Sequence, residues 1–113
     1  NFPVMSMGKN AQIIRMDGHG VPEILDAILR VFPLDTYIEK PVNLMEVMPG
    51  DDVQTPIWDV YKKTVKKYDE RGKNAIGEIE RFKFYEETKT AYAVIATSEK
   101  ALYANIMLQK GVV

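Results

Sequence analysis

The sequence has no cysteine, a single histidine and a single tryptophan in its 113 residues. Without cysteine there is no disulfide framework, no thiolate nucleophile and no cysteine-based zinc site. One histidine leaves no second one with which to build a histidine metal site. The missing cysteines fit a cytoplasmic protein. An excess of charge is missing too. Lys and Arg total 15 against 16 Asp and Glu, a net charge of -1, so nothing marks nucleic acid or an anionic membrane as a partner. The longest clean apolar run, residues 91–96, is far short of the roughly 20 residues that span a bilayer, and the first residues lack the charged-then-apolar layout of a signal peptide. The chain reads as soluble. It has no internal repeat, low-complexity tract or linker, and its length predicts one domain, 1–113, able to bury about two thirds of its unfolded surface.

What is present alternates between strand and helix signals. Residues 1–10 read as a loop with Pro3 and Gly8. Residues 11–16 read as a strand, closed by Asp17-Gly18-His19-Gly20. Over 22–32, Ile24, Leu25, Ile28, Val31 and Phe32 follow helical spacing from Pro22 to a stop at Pro33. Residues 42–47 predict a second strand ending at Pro49-Gly50-Asp51. A second helix is predicted with Thr55 as cap, Pro56 first, a buried stripe of Ile57, Val60, Tyr61, Val65 and Tyr68, and Gly72 as C-terminal cap. Lys62, Lys63, Lys66 and Lys67 read as its solvated face. A strand over 76–80, a helix over 82–90 anchored by Phe84 and Tyr85, and an apolar strand over 92–97 buried on both faces follow. The last strand, 101–113, puts Leu102, Ala104, Ile106 and Leu108 on one face and Tyr103 with Asn105 on the other. The alternation predicts a layered α/β domain with a largely parallel sheet, with room for an antiparallel strand at its end.

In such sheets ligands gather at the carboxyl ends of strands. Three features fall there: Asp17-Gly18-His19-Gly20, Arg81, and the loop from Thr97 into Tyr103. Neither dinucleotide nor Walker glycine spacing is present, which argues against nucleotide binding. His19 is the side chain whose pKa suits acid-base work near neutrality, yet a histidine between glycines in a surface turn is more often simply exposed, and Asp17 is ordinary turn chemistry. Arg81 has two open readings, a surface pair with Glu78 or Glu80, or a permanently charged donor to a ligand hydroxyl. Glu78 and Glu80 read as strand surface, and the methionines and Trp58 as packing. Tyr103 and Asn105, two residues apart, offer the donors and acceptors that grip vicinal hydroxyls; amphipathic edge and turn chemistry are the plainer alternative.

Several motifs in order resemble the D-ribose pyranase and L-fucose mutarotase (RbsD/FucU) family, its fucose branch above all. Asn1-Phe2-Pro3 is similar to that branch's active-site loop, Ile14-Arg15-Met16-Asp17-Gly18 to its first strand end, and Phe32-Pro33-Leu34-Asp35-Thr36-Tyr37 to its helix exit. Ile79-Glu80-Arg81-Phe82-Lys83-Phe84-Tyr85-Glu86 and Leu102-Tyr103-Ala104-Asn105, continuing to Lys110-Gly111-Val112, complete the match.

The resemblance implies a three-layer RbsD-like α/β sandwich and a cofactor-free, metal-free mutarotase that interconverts the anomers of L-fucose. Arg81 would contact the sugar, with Tyr103, Ala104 (through its backbone) and Asn105 forming the other substrate-binding stretch. The ribose branch tends to have histidine at the position of Arg81, which favours fucose. The family's general-acid histidine and a substrate-binding aspartate would both precede residue 1, so this span is expected to be part of something longer, and the catalytic group is not assigned to His19. A homo-oligomer, ring-like and with sites near subunit contacts, is also implied. A non-catalytic monosaccharide-binding module is the alternative.

Overall fold

The computed structural model describes residues 12–112. The expected loop over 1–10, the start of the first strand at Ala11, the resemblance at Asn1-Phe2-Pro3 and the terminal Val113 lie outside the described residues.

Among the described residues, five strands and three helices follow the predicted order: β1 (Gln12–Met16), α1 (Val21–Val31), β2 (Val42–Met45), α2 (Pro56–Tyr68), β3 (Ile76–Ile79), α3 (Arg81–Thr88), β4 (Ala93–Thr97) and β5 (Ile106–Leu108). A short 3-10 turn, Gly72–Ala75, leads into β3. β1 pairs with β4 in parallel, Gln12 opposite Ala93 and Met16 opposite Thr97. β2 pairs with β3 in parallel, Met45 opposite Ile79, and with β5 antiparallel, Leu44 opposite Ile106. The α/β class and the mixed strand directions are therefore as expected. Among the described residues the strands lie in two sheets, β1-β4 and β3-β2-β5, where the sequence predicts one.

α1 begins beside Pro22 and buries Ile24, Leu25 and Leu29; the Phe32 N–H closes it on the Ile28 carbonyl, and Pro33 cannot extend it. In α2 the buried residues are Ile57, Trp58, Tyr61 and Val65. Val60, expected in that stripe, is 42% exposed. At about 100° per residue it points more than a quarter-turn from the centre of the buried arc, and Trp58 takes the inward place. Thr55 makes no side-chain capping bond, and the helix closes at Asp69, whose N–H reaches the Val65 carbonyl, so Gly72 belongs to the following 3-10 turn. These faces meet around Leu25, Leu34, Val42, Leu44, Tyr61 and Val65. β4 buries only Val94 and Ala96, and Tyr92 is exposed, so it is half-buried and not buried on both faces.

The predicted last strand shortens most. Only 106–108 pair with β2; the chain before them turns, Leu102 is 63% exposed and Tyr103 adopts φ 54. The Glu99 carboxylate accepts the Lys100 and Ala101 N–H groups at 3.1 Å, folding the segment, and the Tyr103 and Ala104 carbonyls bond to α2 instead of a neighbouring strand. After β5 the tail runs beside residues 33–35, with Gly111 N–H on the Pro33 carbonyl at 2.9 Å. A Cβ at Gly111 would sit 2.7 Å from the Leu34 carbonyl oxygen, so only glycine permits this approach.

Candidate functional site

The three-stranded sheet brings the predicted site residues to one end. β3 runs parallel to β2, and Arg81 comes two residues after Ile79, the partner of Met45. β5 runs the other way, and Asn105 immediately precedes Ile106, the partner of Leu44. Arg81 and the 103–105 turn therefore flank the carboxyl end of β2, on strands about 10 Å apart across the sheet. Glu46 N–H extends the β2 ladder to the Ile79 carbonyl at 2.7 Å.

Arg81 is the first residue of α3. Its neighbour Glu80 caps that helix, its carboxylate accepting the Phe82 and Lys83 N–H groups at 2.9 to 3.2 Å. Glu80 is thus committed to the helix, and among the described residues no ion pair ties Arg81 to Glu78 or Glu80. Arg81 Nε is buried and has no hydrogen-bond partner. A buried guanidinium N–H left unpaired is costly, and a ligand oxygen would satisfy it.

The opposing turn is densely tied. The Tyr103 hydroxyl donates to Asp51 Oδ2 at 2.5 Å and accepts the Met48 N–H at 3.2 Å. Trp58 Nε1 donates to the Tyr103 carbonyl at 2.8 Å, and the Tyr61 hydroxyl to the Ala104 carbonyl at 2.7 Å. Burial pushes the Tyr61 phenol well above its ordinary range, with the Glu99 charge adding to it, so it stays protonated as a donor. Tyr103 is half-buried, Ala104 is buried and Asn105 is half-buried. Tyr103 and Asn105 are neighbours in a turn, not members of one strand face.

The other sheet ends elsewhere. At the ends of β1 and β4, Gly18 N–H donates to Ser98 Oγ at 2.6 Å and Ser98 N–H to the His19 carbonyl at 3.0 Å. His19 Nδ1 pairs with Glu23 Oε1 on exposed surface, and Asp17 pairs with Arg15. Glu99 Oε1 accepts the Val21 N–H at 2.9 Å, holding the start of α1, and a Cβ at Gly20 would lie 2.9 Å from that oxygen. Surface hollows of about 300 Å³ at the C-terminal ends of α1 and α2 and about 240 Å³ at the start of α2 include neither Arg81 nor Tyr103. Among the described residues no group of three or more His, Cys, Asp or Glu could hold a metal ion, and no helix is long and apolar enough to cross a membrane.

Asp51, Trp58, Tyr61 and Glu99 are the parts that sequence reasoning missed. Tyr61 and Trp58 left one trace, two aromatic side chains with polar atoms three residues apart on one helix face. Asp51 and Glu99 read only as turn residues.

Comparison with known proteins matches this geometry to one group. The chain is 45% identical over 116 residues to the human fucose mutarotase, an alignment covering 99% of this chain and 74% of that protein. Its fold superposes on the crystal structure of FucU from Bifidobacterium longum with a TM-score of 0.96 at 65% identity, covering 100% of this chain and 79% of the other. It superposes on the fucose mutarotase of Streptococcus pneumoniae, solved in complex with L-fucose, with a TM-score of 0.90 at 42% identity, covering 100% and 78%. The RbsD / FucU transport protein family matches residues 1–113 in full, and the chain belongs to the RbsD/FucU family.

Proposed function

We propose that this chain is an L-fucose mutarotase, an isomerase that interconverts the α and β anomers of L-fucose. The observation that carries the reading is the convergence of Arg81, with its buried unpartnered Nε, and the 103–105 turn at one sheet end, in a chain whose relatives include a mutarotase that binds L-fucose. In the reaction the anomeric hydroxyl loses its proton, the bond from C1 to the ring oxygen breaks and the ring oxygen is protonated. The open aldehyde then turns about the C1–C2 bond and the steps reverse on its other face.

Arg81 is suited to grip a sugar oxygen with charge-assisted hydrogen bonds. The Tyr103 hydroxyl donates its hydrogen bond to Asp51, so toward the sugar it acts as an acceptor. Asn105 adds an amide able to both donate and accept. Ala104, its carbonyl turned to Tyr61, offers its N–H. The exposed pair of His19 with Glu23 supports leaving His19 out of the proton transfer. We also assign the protein to the cytoplasm and to a homo-oligomer. The exposed Ile13 and Ile14 of β1, at 44% and 42%, support self-association.

The test is saturation-transfer NMR on L-fucose with the full-length protein. Exchange between α and β signals well above the buffer rate is expected. Binding of L-fucose without accelerated exchange would leave a sugar-binding module and overturn the enzyme.

A further inference from the structure

The turn that presents Tyr103, Ala104 and Asn105 adopts a backbone its own sequence does not favour. Tyr103 lies at φ 54, in the left-handed region that side chains other than Gly, Asn and Asp seldom occupy. A residue persists there only where its surroundings over-determine it, and such positions cluster at ligand sites. Here the determinant is helix α2. Trp58 and Tyr61 stand one turn apart on one face and donate to two consecutive carbonyls, Tyr103 at 2.8 Å and Ala104 at 2.7 Å. Both donors are anchored in the core, 9% and 0% exposed, so neither can follow the turn if it moves. For packing alone phenylalanine would serve at Tyr61. The hydroxyl adds only the bond to the Ala104 carbonyl.

We infer that Tyr61 and Trp58 are positioning residues for the sugar site. They lock the backbone of the binding turn before sugar arrives, so that Tyr103, the Ala104 N–H and Asn105 are offered in one fixed geometry. The inference rests on the reading of this turn as the substrate-binding stretch. Neither residue touches the sugar; both act through the turn.

The test compares Tyr61→Phe with Val65→Ala, a buried truncation in the same helix with no polar link to the turn. Both variants lower the melting temperature. Only Tyr61→Phe changes the site. Its KM for L-fucose rises and its kcat/KM falls about 10- to 100-fold, the scale set by a misplacement of about 1 Å, while Val65→Ala keeps its KM within twofold of wild type. The carbonyl ¹³C shift of Ala104 also moves in Tyr61→Phe alone. A folded Tyr61→Phe with wild-type KM and kcat/KM overturns the inference, as does an equal rise of KM in Val65→Ala. Should Tyr61→Phe not fold, Trp58→Phe removes the other donor and is held to the same outcomes. If wild-type protein accelerates no anomer exchange, the proposed activity fails separately. L-fucose affinity by calorimetry then replaces KM, and a Tyr61→Phe that binds as wild type overturns the positioning role.

Discussion

At the scale of single residues, the proposed site turns on Arg81 and on the hydroxyl of Tyr103. Arg81 Nε is buried and unpaired, so its hydrogen bonds are available to a ligand. A hydrogen bond to a charged group contributes about 1.5–3 kcal/mol, and Arg81→Ala should therefore weaken L-fucose binding by about 10- to 100-fold, read by calorimetric titration. Arg81→Lys should recover only part of that loss, because a lysine carries one point charge and no planar fork. Tyr103→Phe deletes the hydroxyl shared by Asp51 and Met48 N–H. It should lower kcat/KM about tenfold, and Asp51→Asn should do so less, in the same direction. The Asp51 substitution retains an acceptor but exchanges a charged partner for a neutral one, which weakens the bond without abolishing it.

At the scale of elements, specific contacts in the connections fix how helices and strands join. Glu99 accepts N–H groups from Val21, Lys100 and Ala101; one carboxylate thus closes the start of α1 and the turn toward the site. Loss of a helix cap costs about 0.5–2 kcal/mol, so Glu99→Ala should lower the chemical-denaturation midpoint by that equivalent and loosen the binding turn as well. Gly111 passes the Leu34 carbonyl so closely that any Cβ would stand at 2.7 Å from the oxygen. Because the obstacle is backbone, Gly111→Ala should destabilise by about 1–3 kcal/mol, the usual range for overpacking. Differential scanning calorimetry would show that as a melting temperature lowered by several degrees.

For the whole molecule, acid stability follows from two carboxylates. The Arg71 guanidinium beside Asp69 holds its carboxyl below the ordinary carboxylate range, and Arg71 carries the same link to the carbonyls of Asp35 and Ile38. The Tyr68 hydroxyl and then Lys67 lower Asp26 in the same direction, tying α1 to α2. A depressed folded-state pKa stabilises above the unfolded value of 3.8, and that contribution is lost as pH falls through the folded pKa. Asp69→Asn should thus be less stable than wild type at neutral pH, with the gap closing below about pH 3.8 in urea melts across pH. Exposed Ile13, Ile14 and Tyr92 on the β1-β4 pair are also expected to be covered by further copies of the chain. Light scattering should then report a mass above that of one chain, and a monomer would remove the oligomer.

The sequence by itself determined the order of elements, the α/β class and the family. Local signals suffice for these: Pro22 and Pro56 open helices, Pro33 stops one, and apolar periodicity separates helix from strand. It also singled out Arg81, Tyr103, Ala104 and Asn105, through side-chain inventory and resemblance. The tertiary structure alone decided that the described strands lie in two sheets, and that residues 101–105 turn while only 106–108 pair. Alternation of Leu102, Ala104, Ile106 and Leu108 fits a strand as far as local pattern goes. Carbonyls bonded by Trp58 and Tyr61, more than forty residues earlier, override that pattern. A backbone conformation imposed by distant donors leaves no period in its own segment, which is why the residues that hold the turn could be found only in space.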